Sequence, residues 1–98
     1  MPSQTRQQVT DQAVRWREAN PDMWDAFVSE ARNAADNHEQ WSARGIAERI
    51  RWSPSFKRAY GFQFKVPNAI TPVLGRMVVE EYPKTGEFFR FAHSKVDA

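Results

Sequence analysis

No cysteine occurs among the 98 residues, which excludes disulfides, zinc–thiolate sites and a thiol nucleophile. That absence also fits a reducing compartment. Apolar runs are only a few residues long, too short for a bilayer-spanning helix, so no membrane partner is expected. The N-terminal stretch MPSQTRQQVTDQ is polar and lacks the apolar core of a signal peptide; a cytoplasmic location is the expectation. Histidine is scarce too. His38 and His93 stand far apart with no carboxylate at ligand-like spacing, so no metal site is expected. Glycine-rich phosphate loops, a nucleophile elbow and acidic metal clusters are all missing. Glu80 and Glu81, adjacent on an expected helix, point about 100° apart and form no acid–base pair. These absences together predict a protein that is not an enzyme and needs no cofactor.

What the chain does have is aromatic side chains: four Trp, seven Phe and two Tyr. Large rings build a core from few residues, which suits a chain long enough for one domain only. At this size folding buries roughly 60–70% of the unfolded surface, and a stability of about 5–10 kcal/mol is expected.

Net charge is only +2, but its distribution is uneven. Residues 1–40 carry four basic and seven acidic side chains, a balance of −3. Residues 41–66 carry Arg44, Arg49, Arg51, Lys57, Arg58 and Lys65 against Glu48 alone, a balance of +5. Residues 67–98 balance at zero, four against four. Such asymmetry makes a local positive field in a nearly neutral chain. A solvated basic face is the plain explanation; an anionic partner is the functional one.

Hydrophobic spacing predicts four main helices. Val9, Ala13 and Trp16 mark the first, over about 7–19, which Asn20-Pro21 ends. The same pair starts a second over about 21–37, with Asn20 as cap, Pro21 in the first position and Asp22 on the positive end of the dipole. Met23, Trp24, Phe27, Val28, Ala31, Ala34 and Ala35 form its apolar face. The polar run from Asp36 to Gln40 closes it, with His38 complementing the dipole. Ser42 caps a third helix, about 42–52, that turns Ile46, Ala47 and Ile50 inward and is bracketed by Trp41 and Trp52. Ser53-Pro54 ends it, and residues 53–60 are predicted to add a short turn. Pro67-Asn68 introduces a fourth helix, about 68–82, beginning at Asn68 or Thr71, with Ile70, Leu74, Met77, Val78 and Tyr82 on one stripe. Residues 62–66 alternate apolar and polar and read as a short strand, with 88–93 as its partner. Residues 1–6 should be frayed and 95–98 loose, leaving 7–94 as a single domain.

The stretch Ser42-Ala-Arg-Gly-Ile-Ala-Glu-Arg-Ile50 resembles the first helix of many helix-turn-helix units, where a capping Ser or Thr leads into an Ile-Ala-Glu step, here Ile46-Ala47-Glu48, whose small Ala permits close helix crossing. A second helix then enters the major groove. Some fifteen residues separate this stretch from the 68–82 helix, more than the usual turn, and 54–60 is short for a groove-reading helix. A winged arrangement accommodates the insertion: helices 21–37, 42–52 and 68–82 as the body, with 62–66 and 88–93 as a two-stranded element beside them. The expected fold is therefore mostly α, winged helix-turn-helix-like. On the 68–82 helix, Asn68, Thr71 and Arg76 lie away from the apolar stripe, and Gly75 would let a backbone approach. Asn reads adenine edges and Arg guanine edges. Arg44, Arg49, Arg51, Lys57, Arg58, Lys65 and Arg90 would hold phosphates.

The run FKVPNAITPVLGRMVVEEYPKTGEFFR, with NPDMWDAFV and WSARGIAERIRW, resembles a family of small uncharacterised proteins encoded by bacteriophages and prophages. Shared features are an Asn-Pro helix start, a Ser-Ala-Arg-x-Ile-x-x-x-Ile-Arg-Trp element, a Phe-Lys-x-x-Asn lead into a helix and a closing Pro…Phe-Phe. The likeness covers most of 20–91. It implies a helix-turn-helix-like fold, a DNA-binding regulatory role with double-stranded DNA as partner, and the bacterial host cytoplasm as location. Gly75-Arg76 stands where many relatives have Ala-Arg, and Pro67-Asn68 where many have Asn-Asn, which leaves Arg76 the better carried-over position. The competing expectation is a module that binds and alters a host protein through Trp16, Trp24, Trp41 or Trp52 with Arg, the residues that dominate interface hot spots. Two or more of these Trp exposed in one patch would favour it. A homodimer is compatible with either.

Overall fold

Helix α1, Arg6–Ala19, starts at Thr5, whose hydroxyl accepts from the Gln8 amide at 3.1 Å while the Gln8 side chain accepts from the Thr5 amide at 2.8 Å. This reciprocal capping box satisfies donors that a helix start leaves unpaired, so order begins at Thr5, two residues earlier than the expected frayed segment 1–6 allows. The computed structural model describes residues 5–90. The remainder of 1–6, and the expected loose residues 95–98, lie outside the described residues.

Helix α2, Pro21–Asp36, has Pro at its first turn as anticipated, but Asn20 makes no side-chain cap to it. Its amide instead donates back to the Trp16 carbonyl at 2.9 Å, so the residue closes α1. Met23, Trp24, Phe27, Val28, Ala31 and Ala34 are buried, the apolar face read from spacing. At the far end the His38 amide donates to Ala35 and the Glu39 amide to Ala34. That pair of bonds is a Schellman closure, which places a left-handed residue after the helix. His38 takes that position with φ 57°, its ring edge-on to Phe88 at 5.6 Å.

Helix α3, Ala43–Arg51, is capped by Ser42, whose hydroxyl accepts from the Gly45 amide at 3.0 Å. After Trp52 and Ser53 the chain forms a short helix α4, Pro54–Tyr60, where a turn was expected; Ser53 caps it and left-handed Gly61 ends it. Only Phe56 of α4 is buried. Helix α5, Thr71–Glu81, starts at Thr71, the later of the two predicted starts. A 3-10 helix, Pro83–Phe88, follows. The described chain is thus mostly helical and compact, with a radius of gyration of 13.5 Å. Helix α5 lies at its centre, packing on α1, α3 and the 3-10 helix, while α2 packs on α1, α3 and the 3-10 helix.

The expected two-stranded element does not form among the described residues. Residues 62–66 have no strand partner among the described residues. Phe89 instead makes an isolated parallel bridge with Trp41, whose amide donates to Phe88 at 2.8 Å and whose carbonyl accepts from Arg90 at 2.7 Å. Residues 91–93 of the expected partner strand lie outside the described residues. The alternation in 62–66 has another cause. Phe64 is driven into the core, edge-on to Trp16 at 6.3 Å and to Phe56 at 5.7 Å, while Phe62 rests on Phe56. Of the period-two apolar face only Phe64 is buried, and helices rather than a sheet cover it.

Gly75 sits where α5 meets α3. A Cβ there would fall 2.9 Å from the Ala43 Cβ and 2.8 Å from the Phe89 ring. The close approach anticipated for this glycine is therefore made to the protein's own interior; it is buried and offers nothing to an outside backbone. Gly75→Ala gains up to about 1 kcal/mol in helix propensity but forces the helices apart, and overpacking costs typically about 1–3 kcal/mol. Net destabilisation of about 1–2 kcal/mol is expected, read as a lower urea midpoint. An unchanged or higher midpoint would mean that the Ala43 contact yields freely.

Candidate nucleic-acid interface

A groove of about 280 Å³ runs between α3 and the segment that leads into α5. Arg44, Ala47, Glu48 and Arg51 form its helical wall; spacings of three, four and seven put them on one face. Phe64, Lys65, Val66, Pro67, Asn68 and Thr71 form the other. Five of the ten expected contact residues meet here: Arg44, Arg51, Lys65, Asn68 and Thr71.

Their availability differs. Arg44, Arg51, Lys65 and Asn68 are exposed. Asn68 belongs to the turn before α5 and does not cap it, since Ile70 holds the cap position. Thr71 is buried and its hydroxyl donates to the Pro67 carbonyl at 3.1 Å. It shapes the groove and braces its rim but presents no side chain for reading bases.

The other five diverge. Arg49 turns to α2, its guanidinium 3.6 Å from the Glu30 carboxylate. Lys57 and Arg58 are exposed on α4. Arg76 is exposed on the outer strip of α5, one turn from Pro72 and from Glu80. Arg90 follows the 3-10 helix, its backbone fixed to Trp41. The 68–82 helix was expected to lie in a major groove, yet α5 is enclosed by three elements and exposes only that narrow strip and its two ends.

Electrostatics favour an anion in the groove. Glu48 is its lone acid, held 3.9 Å from Arg51 and accepting from the Trp52 indole N–H at 3.2 Å. From there the chain carries no Asp or Glu until Glu80. The larger hollow on α2, about 440 Å³, mixes Asp25 and Asp36 with Arg32, whose guanidinium lies 4.8 Å over the Tyr82 ring, and holds no such excess. Beside that hollow Arg17, its guanidinium 4.2 Å over the Trp24 ring, makes two bonds to Glu81, at 2.6 and 2.8 Å, tying α1 to α5. That hydrogen bond with Glu81 raises the Arg17 pKa further above its ordinary value.

The tryptophans divide unevenly. Trp24 and Trp41 are buried, Trp16 is half-buried, and Trp52 is 70% exposed. Two exposed Trp in one patch, the condition set for a protein-binding surface, are not present. Tyr60 and Phe62, not among the expected site residues, are exposed at the end of α4 and just beyond it. The signal that would have found them is the acid-free stretch in which they lie.

Among the described residues no group of three or more His, Asp or Glu is placed to hold a metal ion, and no helix is long and apolar enough to cross a membrane. Comparison of the chain with known family profiles, curated proteins and solved structures returned no match.

Proposed function

We propose that this chain is a phage or prophage regulatory protein that binds DNA, without catalysing a reaction on it. The observation that carries the reading is the convergence of Arg44, Arg51 and Lys65 on one groove beside Asn68, with a single acid between them. Three cations on fixed elements match a run of phosphates, which supply affinity and position. Asn68, exposed at the rim and making no hydrogen bond within the described chain, is the group able to contact a base edge. The scaffold is read as a helix-turn-helix-like body of α2, α3 and α5; α3 and α5 cross closely at Ala43 and Gly75, whereas the small Ala47 of the Ile-Ala-Glu step lines the groove. A paired wing is not part of this proposal.

Salt tests it. Three phosphate contacts on a duplex give a slope of log affinity against log salt near −2.7, so affinity should fall about 40-fold between about 50 and 200 mM. No binding at low salt to any DNA, single- or double-stranded, would overturn the reading. A second reading, a surface for a host protein, draws on the exposure of Trp52; it predicts that outcome.

A further inference from the structure

We infer that the DNA held by this surface is single-stranded, its bases stacking on Trp52, Tyr60 and Phe62. The inference rests on the DNA reading above and names the state of the partner. Among the described residues four large apolar side chains are markedly exposed, and three of them are these aromatics, the fourth being Val14 on α1. All three fall within residues 52–62: Trp52 precedes α4, Tyr60 is its last residue and Phe62 follows it, and the seven residues of α4 span about 10 Å at the helical rise.

The rings are held in place. Tyr60 and Phe62 lie 4.6 and 5.7 Å from the buried Phe56 ring, and Phe56 stands edge-on to Phe64 in the core. Trp52 is steadied by its indole bond to Glu48 and by the Arg51 guanidinium, 5.6 Å from its ring. Rings fixed in advance lose little freedom when a partner arrives. Cations are interleaved with them: Arg51, Lys57 and Arg58 all belong to the acid-free stretch. Arg51 both lines the groove and lies 5.6 Å from the Trp52 ring, so the phosphate track leads onto the first of the three rings. A charged groove leading onto stacking rings is how unpaired strands are gripped, since every base has a face to stack. In a closed duplex those faces are hidden. The features a duplex reader needs are also weak here: α5 is enclosed, Thr71 and Gly75 are buried, and α4 is short. A protein partner finds the same aromatics useful, but six cations against the single acid Glu48 in residues 41–66 favour a polyanion.

The experiment is a fluorescence titration at low salt with a short oligothymidylate and with a mixed-sequence duplex of equal length. The single strand should bind about 10-fold or more tightly than the duplex and quench Trp fluorescence. Trp52→Ala, at an exposed position, should keep the helical circular dichroism and lose about 10-fold or more of single-strand affinity, the worth of one stacked base. Trp52→Phe should recover most of it. Duplex binding equal to or tighter than single-strand binding, or an unchanged affinity in Trp52→Ala, overturns the inference while leaving DNA binding intact. No binding to either overturns both and points to a protein partner.

Discussion

Trp41→Ala is expected to lower stability by about 3–5 kcal/mol, the range for removing a large buried ring. A domain of this size has about 5–10 kcal/mol in all, so a large part of the population should lose its structure under mild urea. The size of the effect follows from how many parts meet at this residue. Its ring is 4% exposed and packs 4.4 Å from Phe89. Its indole N–H donates to the Thr85 carbonyl at 3.0 Å, inside the 3-10 helix, and its backbone pairs with Phe88 and Arg90 on either side. Trp41 thus fastens the loop between α2 and α3 to the segment that closes the core. Trp41→Phe separates the contributions: most of the ring stays, while the buried Thr85 carbonyl loses its donor, at a cost of about 1–3 kcal/mol. Urea unfolding of both variants measures this. A Trp41→Ala midpoint equal to that of the unaltered chain would show that the closing segment is held by other contacts.

Where stop and start signals are covalent or local, the sequence is explicit about this fold. Pro21 and Pro54 sit in first turns and Ser42 caps α3, each because the residue type solves a problem at the helix end by itself. Signals that depend on which neighbour wins are not explicit. Asn20 has two helix ends within reach and bonds to α1 rather than α2. The alternating run 62–66 fits a strand as well as an extended strap on helices; the long-range partners Trp16 and Phe56 decide it. Gly75 could face a ligand or a neighbour, and only the position of Ala43 and Phe89 tells which. The site divides the same way. The positive middle of the chain is visible in composition, but its assignment to a groove is not. Arg49 and Arg51, two positions apart, point about 200° away from each other on a helix. One therefore meets Glu30 and the other faces the groove.

That phase difference supports the second large prediction. Replacing Arg44, Arg51 and Lys65 together by glutamine should remove most of the salt-sensitive binding: the slope should flatten by about 2.7 on a duplex or about 2.1 on a single strand. Replacing Arg49 and Arg90 in the same way should leave the slope nearly unchanged, although it also removes exposed guanidinium charges. Arg49 already faces a carboxylate, and Arg90 stands on the segment pinned to Trp41, away from the groove walls. Both sets are exposed, so stability should stay within about 0.5 kcal/mol and affinity can be compared directly. Equal losses from the two sets would mean that charge acts diffusely, through the field of the whole basic region, and the groove would lose its claim as the site. If the triple variant alone flattens the slope, Arg51→Gln by itself becomes informative. Arg51 also lies 5.6 Å from the Trp52 ring, so with a single strand its loss should exceed that of Arg44→Gln, whereas with a duplex the two should match.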